Sequence, residues 1–156
     1  MRIISRLLPS LIVITVALAF AGCNRKTIYH HYEHTPVAGW DKNDTLTFTV
    51  KAKQRAVIQR DVELRISGDY PFQRLSLIVE QTTYPNGIRR RDTLNCDLID
   101  PQGNILGQGV SLYQYRFHMT DISLNEDDSL CIDIRHNMKR EVLPGIADIG
   151  VCLTAY

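Results

Sequence analysis

The chain has 156 residues, with 18 Lys and Arg against 17 Asp and Glu and a formal charge of +1. That length allows one domain with a real core. The balanced charge argues against nucleic acid as a general partner.

The chain opens with Arg2 and Arg6, runs apolar from Leu7 to Phe20 around Pro9 and Ser10, and closes on Ala21-Gly22-Cys23. A charged head, an apolar middle and a small-residue cleavage site make a secretory signal. A cysteine directly after Ala21-Gly22 gives it the look of a bacterial lipoprotein signal, with Cys23 as the lipid-bearing residue. Leu11 to Gly22 is only 12 residues, short of the roughly 20 that span a bilayer. Removing residues 1–22 takes Arg2 and Arg6 away and leaves 16 basic residues against 17 acidic ones. The anchor would be acyl chains on Cys23, since each buried CH₂ contributes about 0.8 kcal/mol.

Residues 23–38 are read as a lipid-anchored tether. They are polar and carry the cluster Tyr29-His30-His31-Tyr32-Glu33-His34. Neighbouring histidines in an extended chain point to opposite sides, and this spacing matches no metal-site pattern. No metal and no cofactor are expected. The folded part is placed at 39–156, entered through Pro36, Gly39 and Trp40. Trp40 is the only tryptophan. Its two readings are a plug for one end of the core and a ligand platform.

From there the chain alternates. Leu46, Phe48 and Val50 alternate with threonines, and Val62, Leu64 and Ile66 with Glu63 and Arg65. Leu75, Leu77 and Val79 lead to Asn86-Gly87, a tight hairpin signal. Leu94, Cys96 and Leu98 form the return strand. Tyr113, Tyr115 and Phe117 alternate next, then Leu130, Ile132 and Ile134, and finally Ile149, Val151 and Leu153. Residues 137–143 are the one place where one or two helical turns are conceivable before Pro144-Gly145. Seven or eight short strands between turn signals predict an all-β antiparallel sandwich, immunoglobulin-like or jelly-roll-like.

Cys96 lies on an apolar face and reads as a buried small hydrophobe. Cys131 and Cys152 lie on the opposite parity to their apolar neighbours, which leaves a disulfide between adjacent strands open. Chemistry is scarce. Gly-x-Ser-x-Gly, phosphate-binding glycine loops and Cys-x-x-Cys are missing from the sequence. Asp121, Glu126, Asp127 and Asp128 offer oxygens to calcium but match no EF-hand. Asp128 with His118 or His136 is a hydrolase pair on paper only. Arg89-Arg90-Arg91 reads as a solvated hairpin or as a docking patch for acidic partners or lipid headgroups.

A set of short motifs runs in order along the whole mature chain: Gly39-Trp40 ahead of Asp44-Thr45-Leu46-Thr47-Phe48; Asp69-Tyr70-Pro71-Phe72-Gln73-Arg74-Leu75; Asp92-Thr93-Leu94; Leu106-Gly107-Gln108-Gly109; His136-Asn137-Met138-Lys139-Arg140; and Leu143-Pro144-Gly145-Ile146-Ala147-Asp148-Ile149-Gly150-Val151. With the signal, this set resembles the GldH family of gliding-motility lipoproteins from the Bacteroidetes. The resemblance implies an outer-membrane lipoprotein facing the periplasm, held by its acyl groups. It would contact other cell-envelope proteins of the gliding or associated secretion machinery, and no catalytic residues are carried over. Basic Arg25 and Lys26 after the lipid site fit the inner face of the outer membrane. The alternative is a lipid-anchored glycan-binding module that uses Trp40 and the rings of Tyr113, Tyr115 and Phe117.

Overall fold

The computed structural model describes residues 25–156. The expected signal peptide, residues 1–22, and the expected lipid site Cys23 therefore lie outside the described residues. Strands occupy β1 Lys26–His34, β2 Trp40–Asp41, β3 Leu46–Lys51, β4 Ala56–Ser67, β5 Arg74–Tyr84, β6 Ile88–Asp97, β7 Gln108–Gly109, β8 Leu112–Leu124, β9 Ser129–His136, β10 Val142–Leu143 and β11 Ile146–Ala155. Eight of these have six residues or more: β1 and the seven that carry the alternating stretches of the sequence. The five-stranded sheet runs β1-β11-β4-β8-β7 and the four-stranded sheet β3-β9-β5-β6. All pairings within both are antiparallel. The expected all-β antiparallel sandwich is the fold observed.

Alternation explains why the sheets stack. Val62, Leu64, Ile66, Ile149, Val151 and Leu153 from one sheet meet Phe48, Leu75, Leu77, Leu130, Ile132 and Ile134 from the other in a single buried cluster. Each strand offers one apolar face, so each sheet needs the other to cover it.

One sequence expectation is corrected and two open possibilities are closed. Residues 26–34 are not a solvated tether: they form β1, paired along its length with β11. Residues 137–143 form no helical turn, because Lys42 takes carbonyls that a helix would use. Its backbone N–H bonds the Glu141 carbonyl and its Nζ the Met138 carbonyl, at 2.8 and 2.9 Å. Cys131 and Cys152 lie in different sheets, on β9 and β11, and both are free thiols.

Register fixes the two ends of the sandwich. Lys26, Ala56, Leu124 and Ala155 share one end of the five-stranded sheet. Lys51, Ser129 and Tyr84 share one end of the other. The short links 52–55 and 125–128 make these the same end, where β1 begins. The loops 98–107 and 137–145 lie at the far end with Trp40, which β2 clips to β10.

His136 is fully buried there. Its neutral ring, protonated on Nε2, donates to the Trp40 carbonyl at 3.2 Å and accepts on Nδ1 from the Met138 N–H at 3.4 Å. Burial holds its pKa below the ordinary 6.5. The unfolded ring takes a proton first, so the stabilisation is complete above about pH 6.5 and is lost as pH falls through that value. The denaturation midpoint is expected to drop between about pH 7 and 5, with a shallower drop in His136→Asn. Equal slopes in both proteins would remove His136 as the cause.

Candidate functional site

The outer face of the five-stranded sheet carries an ordered polar grid. Successive residues of a strand alternate faces, so β4 sends Val62, Leu64 and Ile66 inward and Asp61, Glu63 and Arg65 outward. Register lines up three rows across four strands. The first is His30, Cys152, Asp61, His118; the second Tyr32, Gly150, Glu63, Arg116; the third His34, Asp148, Arg65, Gln114.

Glu63 sits at the centre, with no part of its side chain exposed. His30 Nε2 donates to its Oε2 at 2.8 Å, and the Tyr32 hydroxyl donates to the same oxygen. Arg116 reaches Oε1 at ion-pair distance but out of hydrogen-bond alignment. Burial alone would push the Glu63 carboxyl up. The bonds from Tyr32 and His30 and the charge of Arg116 outweigh it and hold the group below its ordinary 4.5. Burial, and then the bond to Glu63, push Tyr32 up to about 12, so its hydroxyl stays a donor at physiological pH.

Gly150 makes this arrangement fit. A Cβ there would lie 2.6 Å from two ring carbons of Tyr32. Without one, the ring lies over the glycine and reaches Glu63. The Arg65 guanidinium covers the ring at 3.9 Å from its centroid. Gln114 donates to the Tyr32 hydroxyl at 3.0 Å. The outer rows close in the same manner. His118 Nδ1 bonds Asp61 at 3.0 Å, His34 bonds Asp148, and Arg65 approaches Asp148 at 3.6 Å. His30, Glu63 and Cys152 bring three donor atoms within 4.8 Å of one another. Burial, and then the charge of Glu63, push the Cys152 thiol up, which makes it a poor nucleophile.

The residues singled out from sequence fall elsewhere. Trp40 has no exposed surface, and its Nε1 donates to the Asp44 carbonyl at 3.1 Å. It is a core plug and not a platform. Tyr115 is buried, and Tyr113 and Phe117 are half-buried with their rings packed against the same core, so the aromatic alternation is built chiefly as core, which weakens the glycan reading. Arg89, Arg90 and Arg91 are exposed on β6, at the edge of the four-stranded sheet. Strand geometry sends Arg90 to the opposite side from its two neighbours, and Arg91 pairs with Glu80 at 3.3 Å. The three do not share one face.

The paper chemistries come apart too. Asp128 caps the turn at Asn125 N–H at 2.8 Å, whereas His118 holds Asp61 and His136 lies beside Trp40. Asp127 pairs with Lys51 at 2.8 Å, and Asp121 accepts from Tyr156. Among the described residues these carboxylates form no common calcium cradle. The grid itself was missed by sequence reading. Its one local signal is the run Asp61, Glu63, Arg65, a row of charges in the middle of a strand with apolar residues at every alternate position.

The sequence also matches known proteins along most of its length. Residues 27–153 match the family described as GldH lipoprotein. The chain belongs to the GldH lipoprotein family. One relative is the gliding motility lipoprotein GldH of Flavobacterium johnsoniae, 28% identical over 93% of this chain and 95% of the relative. Another is the gliding motility lipoprotein GldH homolog of Christiangramia forsetii, 26% identical over 89% and 90%. The GldH match begins at Thr27, inside β1, as expected if that strand belongs to the domain. Among solved structures, dimeric latent PorU from Porphyromonas gingivalis aligns with 87% of this chain at 12% identity and a TM-score of 0.35. This chain spans only 13% of that one. A structure of infectious bursal disease virus, Gx strain, aligns with 85% at 14% identity and a TM-score of 0.33, and 32% of that chain is spanned.

Proposed function

We propose that this GldH-family protein is a non-enzymatic lipoprotein that acyl chains on Cys23 hold against the inner face of the outer membrane. There it serves gliding or associated secretion machinery by touching neighbouring envelope proteins. The observation that carries this reading is how little chain separates Cys23 from the fold. β1 starts at Lys26, three residues on, so the first strand lies within about 11 Å of the lipid-bearing residue. The domain therefore rests on the headgroups by the end where β1 begins.

That end has suitable chemistry. Arg25, Lys26, Lys51, Lys53 and Arg55 lie there, with Arg89 beside the hairpin, against Glu126, Asp127 and Asp128. Asp127 is already paired with Lys51 and Asp128 is buried. Each basic residue near an anionic surface contributes about 1 kcal/mol within a Debye length of about 8 Å. Exposed Tyr84 and Ile88 at the hairpin suit the apolar side of the headgroup layer. The far end, with loops 98–107 and 137–145, points away from the bilayer and is the part left to meet proteins.

Cys23→Ser is expected to abolish incorporation of labelled palmitate and to release the protein from the outer-membrane fraction. A photo-crosslinking residue at Lys53 should then capture lipid in the acylated protein, and one at Val110, exposed in the β7–β8 turn at the far end, should capture envelope protein. Continued membrane retention of Cys23→Ser, or the reverse crosslinking pattern, would overturn the placement.

A further inference from the structure

We infer that His30, Glu63 and Cys152 form a binding site for a divalent ion of borderline softness, with zinc as the ion whose chemistry fits. Their donor atoms Nε2, a carboxylate oxygen and Sγ all lie within 4.8 Å of one another. Nitrogen, oxygen and sulfur together are the ligand types that zinc accepts. The three come from three adjacent strands: His30 is directly opposite Cys152, and Glu63 stands two residues along β4 from Asp61, the direct partner of Cys152.

The thiol is the residue most in need of an explanation. Cys152 is 5% exposed, yet it occupies the polar side of β11. Every other grid position holds an ionisable or polar residue, or the glycine under Tyr32. An apolar small residue in the core, such as Cys96, needs no such company. Glu63 is buried under the same neighbours, with Arg116 against its Oε1 and its Oε2 turned to His30. A tetrahedral ion at about 2.0–2.3 Å from each donor would set them about 3.3–3.7 Å apart. His30 Nε2 and Glu63 Oε2, now at 2.8 Å, would spread slightly and the thiol would close in. Binding releases the thiol proton and turns the His30 lone pair to the ion. Arg116 then remains on Oε1 as the outer partner of a ligand carboxylate. His30 is 43% exposed, so a fourth position opens to water on that side.

The test is a Co(II) titration of the full-length chain carrying Cys23→Ser, with Zn(II) competition and thermal unfolding. One equivalent of Co(II) is expected to give a near-ultraviolet sulfur-to-metal band that Zn(II) erases, and Zn(II) should raise the melting temperature. His30→Ala, at an edge strand, should keep the β-sheet circular dichroism and weaken binding on the order of 100-fold. Cys152→Ser should lose the band. His31→Ala, one residue along and on the other face, and Cys131→Ser should leave it unchanged. No band in the parent, a band surviving Cys152→Ser, or equal effects of His30→Ala and His31→Ala would overturn the site.

Discussion

Trp40→Ala is expected to destabilise the domain by about 3–5 kcal/mol, the range for truncating a buried large aromatic. Trp40 is wholly enclosed, and its loss opens a cavity where β2 and β10 close the far end. Two further contacts go with the ring: the Nε1 bond to Asp44 and the edge-on packing against His136 at a centroid distance of 5.3 Å. Removing the ring also exposes the His136 bond to the Trp40 carbonyl, one of the two bonds that keep the buried imidazole satisfied. Denaturant unfolding followed by far-ultraviolet circular dichroism measures the cost, because the substitution removes the only tryptophan fluorophore. Trp40→Phe should recover about half of it. A ligand platform would behave differently, since an exposed ring can be truncated with little change in stability. A cost below about 1 kcal/mol would contradict the role as a plug.

The sandwich was legible because most of its strands show one face to oil and one to water. Leu46-Thr47-Phe48-Thr49-Val50 states that division outright, and the structure pairs it with β9 as an edge. The first strand was not legible, for a physical reason. Its outward residues His30, Tyr32 and His34 are polar because they finish a polar grid, and its inward side carries Tyr29 and His31, the latter set edge-on to Phe48 at 6.4 Å. Neither side looks apolar, so hydropathy gives no period to find. The grid was hidden for a second reason. Positions 30, 63, 116 and 152 meet only because β11 and β4 lie between β1 and β8, and nothing local in the chain reports a strand order. Outward parity was read correctly for Glu63. That outward could still mean buried depends on three neighbouring strands supplying Tyr32, Cys152 and Arg116 as its cover.

That burial sets up the second large effect. Arg116→Met keeps the aliphatic cover over Glu63 and removes the charge, and it is expected to cost about 2 kcal/mol when measured in chelator. Stripping one partner from a fully enclosed pair costs about 3–5 kcal/mol, because a buried charge is left uncompensated. The value here falls below that range for two reasons. Arg116 is 57% exposed, so water already screens part of the attraction. His30 and Tyr32 also continue to bond Oε2. Glu63→Gln in the Arg116→Met background should restore most of the loss, since an amide still accepts from His30 and Tyr32 and carries no charge to strand. Glu63→Gln alone should cost less than Arg116→Met alone, because the arginine it releases can turn to solvent. The coupling read from the four proteins in denaturant unfolding should therefore be about 1–2 kcal/mol and favourable in the parent. If the double variant is no more stable than Arg116→Met, charge compensation is not what Arg116 contributes, and the carboxylate is held by the bonds from His30 and Tyr32 alone.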